Sequence, residues 1–175
     1  MAPGGIKMAG YVHVYTGNGK GKTAAALGFA MRAIGAGSKV YIAQFLKEDG
    51  DNPLYGLDKI SDQVLLRKYG DRDLLPYEIN GEGHQKALGV LREICGVIYS
   101  GDYQLIILED ANIAVCHGFF KVEDLLMLID SKPRHVDLII TGDCAAPQII
   151  ERADLVTDMR GIKMGPDPAR AASIN

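Results

Sequence analysis

The segment Thr16-Gly17-Asn18-Gly19-Lys20-Gly21-Lys22-Thr23 constrains this chain more than any other stretch. It follows an alternating apolar run, Tyr11–Tyr15, that reads as a strand, and it precedes Thr23–Ile34, whose alanines favour helix. Strand, glycine-rich turn and helix, in that order, is the setting of a phosphate-binding loop. Glycines let the backbone wrap around phosphate oxygens and turn its N–H groups inward. The start of the helix adds partial positive charge. Lys22 is placed to bridge phosphates and the Thr23 hydroxyl to bind Mg²⁺, while Lys20 adds a second cation suited to a triphosphate. Thr16 stands where the general G-x-x-x-x-G-K-[ST] pattern has its first glycine. A turn that only capped a helix would need neither three spaced glycines nor two lysines.

A phosphate loop usually works with a carboxylate at the end of a neighbouring strand, which holds the metal's water shell. Leu105-Ile-Ile-Leu108 is a continuous apolar run that meets Glu109 and Asp110, so one of these acids is expected at the metal. Adjacent strand residues point to opposite faces, and the sequence leaves the choice between them open. Lys39–Phe45, Gln63–Arg67, Val136–Ile140 and Leu155–Met159 read as further strands; Gly83–Ile98, Val122–Ile129 and Pro147–Ala153 read as helices. Alternating strands and helices with near-continuous apolar strands predict an α/β fold, a mostly parallel sheet with helices on both faces. A length of 175 residues fits one domain, 1–175. The segment 47–81 is turn-rich and the tail 161–175 has no periodicity, so both are expected to be irregular. A loop as long as 47–81 is more often functional than idle.

Nineteen basic and 22 acidic residues give a net charge of −3, which argues against a nucleic-acid coat or an anionic-membrane binder. No 18-residue uncharged apolar stretch and no secretory leader is visible, so a cytoplasmic protein is expected. Cys95, Cys116 and Cys144 are odd in number, form no C-x-x-C pair and have apolar neighbours; they are expected to be reduced core thiols. His13 is expected to be packed within its strand. His117 follows the acidic pair and is a secondary candidate for ligand contact at the sheet's C-terminal edge. Tyr55, Tyr69 and Tyr77 fall in the long loop and are expected to anchor it, with lining a flat ligand's pocket as the alternative. No Ser-His-Asp or Cys-His set assembles. On these residues alone the loop also fits a small kinase or ATPase acting on the γ-phosphate, or a nucleotide-binding module without chemistry.

Beyond the loop, Tyr15-TGNGKGKT-Ala24 joins Arg32-Ala33-Ile34-Gly35, Gln44-Phe45-Leu46-Lys47, the strand ending at Glu109-Asp110, Ile139-Ile-Thr-Gly142 and Ala153-Asp154-Leu-Val-Thr-Asp158. Together these resemble the P-loop type of ATP:cob(I)alamin adenosyltransferase, in which threonine at the first loop position is the usual form. The resemblance implies a RecA-like α/β fold, a homodimer, and transfer of the 5′-deoxyadenosyl group of ATP to the cobalt of a reduced corrinoid such as cobalamin, with release of triphosphate. It places Thr16, Gly17, Asn18, Gly19, Lys20, Gly21, Lys22, Thr23 and Ala24 on the nucleotide. Lys20 and Lys22 neutralise the leaving triphosphate, and Thr23 with Glu109 or Asp110 serves Mg²⁺. The nucleophile is Co(I), supplied by an external reductant, with a reductant protein as an implied partner, so no protein base is required. Three departures stand out. Glu109-Asp110 reverses the family's Asp-Glu, Asp143 stands where the family has Arg, and the chain has no Trp.

Overall fold

The computed structural model describes residues 9–46, 61–70 and 82–163. Six strands form one sheet: β1 (Val12–Thr16), β2 (Val40–Phe45), β3 (Val64–Tyr69), β4 (Leu105–Glu109), β5 (Asp137–Thr141) and β6 (Leu155–Asp158). Their order is β3-β2-β4-β5-β1-β6, and every neighbouring pair is parallel. The helices are α1 (Lys22–Gly35), α2 (Glu82–Ser100), α3 (Ala111–Cys116), α4 (Val122–Ser131) and α5 (Pro147–Arg152). The expected α/β class therefore holds, and the sheet is parallel throughout.

Strand alternation sorts the apolar residues into two layers. Val40, Ile42, Leu105, Ile107 and Ile139 face α1, which lays Ala26 and Ala30 against them. Two alanines four residues apart keep that side of α1 thin, so the helix can lie close to the strands. On the other face Tyr41, Phe45, Ile106, Leu108, Leu138 and Ile140 meet the remaining helices. There α2 contributes Val90, Leu91, Ile94 and Ile98 as one stripe, and α4 contributes Leu125 and Leu128. Each fully buried Leu or Ile is worth about 1.5–3 kcal/mol. Both layers thus clamp the central strands whose ends carry the site.

Three expectations change. The chain after Asp110 forms α3, too short for helical periodicity to show in the sequence. β3 runs on to Tyr69, so that residue belongs to a strand and not to a loop. Its ring stacks on Phe45 with centroids 5.6 Å apart, and its hydroxyl lies 3.0 Å from that of Tyr41. The thiols are not all in the core: Cys95 is half-buried, but Cys116 and Cys144 are exposed. Those two sit where chain leaves the sheet's C-terminal edge, and apolar sequence neighbours did not predict burial there. His13 is buried beside Phe29, as its strand position suggested. Tyr55 and Tyr77, with most of 47–81 and nearly all of the tail, lie outside the described residues. No helix among the described residues is long and apolar enough to cross a membrane.

Candidate active site

Because all strands run the same way, β1, β4, β5 and β6 end at one edge, where open parallel sheets gather ligand-binding residues. β1 ends at Thr16, and the chain turns through Gly17 (φ 92°) and Gly21 (φ 114°) into α1. L-residues avoid those angles, so glycine is required by conformation at both positions. The loop leans on the chain leaving β6. Gly19 N–H donates to the Met159 carbonyl at 2.7 Å, and Met159 N–H donates to the Thr16 carbonyl at 2.8 Å. Gly161 N–H reaches Asn18 Oδ1 at 3.3 Å. A Cβ on Gly19 would lie 2.7 Å from the Met159 oxygen, so here it is close packing that requires glycine. Thr16 is buried, and its Oγ1 accepts the Ala145 N–H at 3.2 Å. A hydroxyl at the first loop position therefore ties the loop to the turn after β5, a contact that glycine could not make.

Lys22 folds back over this turn. Its Nζ donates to the Gly17 carbonyl at 2.6 Å and the Gly19 carbonyl at 2.8 Å, and it pairs with Asp143 Oδ1 at 2.6 Å. An ammonium has three donors, and these three acceptors match them. Thr23 Oγ1 donates to Glu109 Oε1. The other carboxylate oxygen, Oε2, accepts from Thr141 Oγ1 at 2.7 Å, and Thr141 Oγ1 in turn accepts the Asp110 N–H at 2.9 Å. Glu109 is 1% exposed. Burying a carboxylate is costly unless polar partners surround it, and the two threonine hydroxyls are such partners. Of the two acids, Glu109 is the one bonded to Thr23; Asp110 takes φ 61° and turns the chain into α3.

A hydroxyl and a buried carboxylate in contact form an all-oxygen donor set that suits a hard cation. Mg²⁺ typically takes one or two protein ligands and completes its shell with water and phosphate oxygens. Among the described residues no cluster of three or more His, Cys, Asp and Glu could hold a metal ion by itself. Asn18, Lys20, Gly21 and Ala24 lie exposed around the loop. His117 caps the end of α3 and is also exposed. Asn112 is buried; its Nδ2 donates to the Gly142 carbonyl at 3.2 Å, while its Oδ1 has no hydrogen-bond partner among the described residues. Thr141, Asp143 and Met159 were not singled out from the residues alone. Each follows or ends an apolar run, and a polar residue at a strand's C-terminal end is the signal that would have found the first two.

The family described as ATP:corrinoid adenosyltransferase BtuR/CobO/CobP matches residues 8–170. This chain belongs to that family. It is accordingly an enzyme, a transferase. A corrinoid adenosyltransferase of Pseudomonas aeruginosa is 30% identical over 165 residues, which cover 88% of this chain and 76% of that protein. A corrinoid adenosyltransferase of Escherichia coli K12 is 27% identical over 172 residues, 94% of this chain and 84% of that one. Among solved structures, a KaiC-like protein from Pyrococcus horikoshii superposes with a TM-score of 0.57 at 14% identity, covering 90% of this chain and 75% of its own. At that identity the likeness concerns the fold alone, and it agrees with the α/β architecture described above.

Proposed function

We propose that the chain transfers the 5′-deoxyadenosyl group of ATP to the Co(I) of a reduced corrinoid such as cobalamin. The cobalt lone pair attacks the ribose 5′ carbon, the bond from that carbon to the α-phosphate oxygen breaks, and its electron pair leaves with triphosphate. Cobalt thereby becomes a Co(III) alkyl. The observation that carries this reading is the loop of a corrinoid adenosyltransferase family member with its lysine and its hydroxyl–carboxylate pair side by side, and no general base is needed beside them. Lys22 exchanges its carbonyl and Asp143 partners for phosphate oxygens, and Lys20 at the rim adds charge. Both stabilise the negative charge that grows on the departing triphosphate. Gly17, Asn18, Gly21 and Ala24 bound the space for the nucleotide, while Thr16 and Gly19 hold the loop's shape through Ala145 and Met159. Thr23 and Glu109 are the residues that would hold Mg²⁺, which supplies further charge neutralisation on the phosphates when bound. Asp110 shapes the turn beside it.

The nucleophile must arrive already reduced, so an external reductant, by this reading a reductase protein, is the partner. The family resemblance assigns the assembly to a homodimer, and the cytoplasm is the compartment expected from the sequence. The deciding experiment incubates the protein with Mg·ATP and chemically reduced cobalamin in the dark. Absorbance reports Co–C bond formation, and chromatography reports the nucleotide product. An adenosylated corrinoid with stoichiometric triphosphate is expected. ADP as product would point instead to γ-phosphate chemistry, and unchanged bound ATP with fully reduced corrinoid would leave only a binding module.

A further inference from the structure

The chemistry proposed for the nucleotide site uses no thiol, yet two of the three thiols meet beside the loop. Cys116 is the last residue of α3, and Cys144 lies in the turn between β5 and α5; both are exposed. Packing brings them together. Gly142 rests on the first turn of α3 so closely that a Cβ there would lie 3.0 Å from the Ile113 nitrogen and 3.2 Å from the Asn112 Cβ. The Asn112 amide fastens the same contact through the Gly142 carbonyl. Cys116 is three residues beyond Ile113 and four beyond Asn112, hence on the same side of the helix. Cys144 follows Gly142 by two residues and holds a φ of 60° that directs the turn. The two side chains are close enough to interact, and that interaction, with a smaller part from burial, raises Cys144 above the ordinary thiol value. Cys144 thereby holds its proton more tightly, which suits it to the second step of an exchange rather than the first.

The neighbours of Cys144 belong to the loop's support. Asp143, just before it, pairs with Lys22, and Ala145, just after it, donates to Thr16. We propose that Cys116 and Cys144 form a reversible disulfide, with a low-molecular-weight disulfide such as oxidised glutathione as electron acceptor, and that this bond fixes Asp143 on Lys22 and weakens triphosphate binding. The Cys116 thiolate attacks one sulfur of the oxidant and releases one glutathione thiolate. The Cys144 sulfur, losing its proton to solvent, then attacks Cys116 in the mixed disulfide and releases the second glutathione. Two electrons pass from the dithiol to the oxidant, and two glutathione molecules leave reduced. The nucleotide half of the proposal rests on the function proposed above; the disulfide half does not.

The test equilibrates the protein with oxidised glutathione, blocks remaining thiols with N-ethylmaleimide, and reads intact mass and peptides. A loss of about 2 Da before blocking, one alkylated thiol in place of three, and a Cys116–Cys144 cross-linked peptide are expected. ATP titration of the same samples should show binding at least about tenfold weaker in the oxidised form, restored by dithiothreitol, a shift of about 1.4 kcal/mol or more. A Cys144→Ser variant should bind ATP like the reduced protein and, given oxidised glutathione, form no cross-link and stop at a glutathione adduct on Cys116. Three reactive thiols after equilibration, or glutathione adducts alone, would overturn the disulfide. A cross-link without change in ATP affinity would overturn the coupling. Reduced protein that binds no ATP would instead refute the reading of the loop, and the mass result would stand apart from it.

Discussion

Lys22 meets three acceptors, and only Asp143 among them is a side chain that can be changed without rebuilding the loop. Its carboxylate competes with the triphosphate for one ammonium, and it does so at the position where the family resemblance has a cation. The Asp143 side chain is 44% exposed, so solvent screens the pair and its worth is about 0.5–1 kcal/mol. Asp143→Asn should therefore tighten ATP binding by about two- to fivefold. Isothermal titration of both proteins at equal salt reads this directly, and weaker binding by the variant would mean that Asp143 helps place Lys22. Sequence made Lys22 and Thr23 plain because their spacing from the glycines is local. Asp143 stood out in the sequence only as a departure from the family, because its pairing with Lys22 comes through a turn 121 positions away.

Among the elements, the unit of loop and α1 shows why its glycines are not equivalent. Gly19 packs against the Met159 carbonyl, and a methyl there has no room unless backbone moves. Gly19→Ala should cost about 1–3 kcal/mol, the range for forcing extra volume into a packed site. Gly28, within α1, has open space around its Cβ position, so Gly28→Ala should stabilise by about 0.5–1 kcal/mol through helix propensity. Urea unfolding of the two variants should move the midpoint in opposite directions. β1 and α1 also meet at His13 and Phe29, with ring centroids 5.0 Å apart. Burial holds the His13 imidazole below its ordinary value of 6.5, opposed in part by Asp137 and Asp154. The folded protein thus favours neutral histidine, while the unfolded chain takes up a proton as pH falls below about 6.5. This contribution to stability is complete above that pH and is lost as pH drops through the lowered folded value. Thermal unfolding from pH 7.5 to 5 should show the midpoint falling, with a shallower slope in His13→Phe; equal slopes would assign the acid sensitivity elsewhere.

For the molecule as a whole, the sheet is held by two layers that share its central strands. Ile139, in the middle of β5, is fully buried under α1, and Ile139→Ala should cost about 2–5 kcal/mol. In a chain of this size that lowers Tm by about 2–4 °C per kcal/mol. A much smaller drop by calorimetry would mean that the α1 layer closes over the cavity. The amino-acid order alone marked the phosphate loop, the apolar strands, four of the five helices among the described residues and an acid at the end of β4, because each rests on periodicity or on neighbours a few residues apart. Folding decided the rest: that Glu109 and not Asp110 bonds to Thr23 across 86 positions, that Thr16 reaches Ala145 across 129, and that two exposed thiols meet. Those pairings depend on strand order and register. A parallel sheet sets them by joining segments far apart in the chain, so no local pattern carries them.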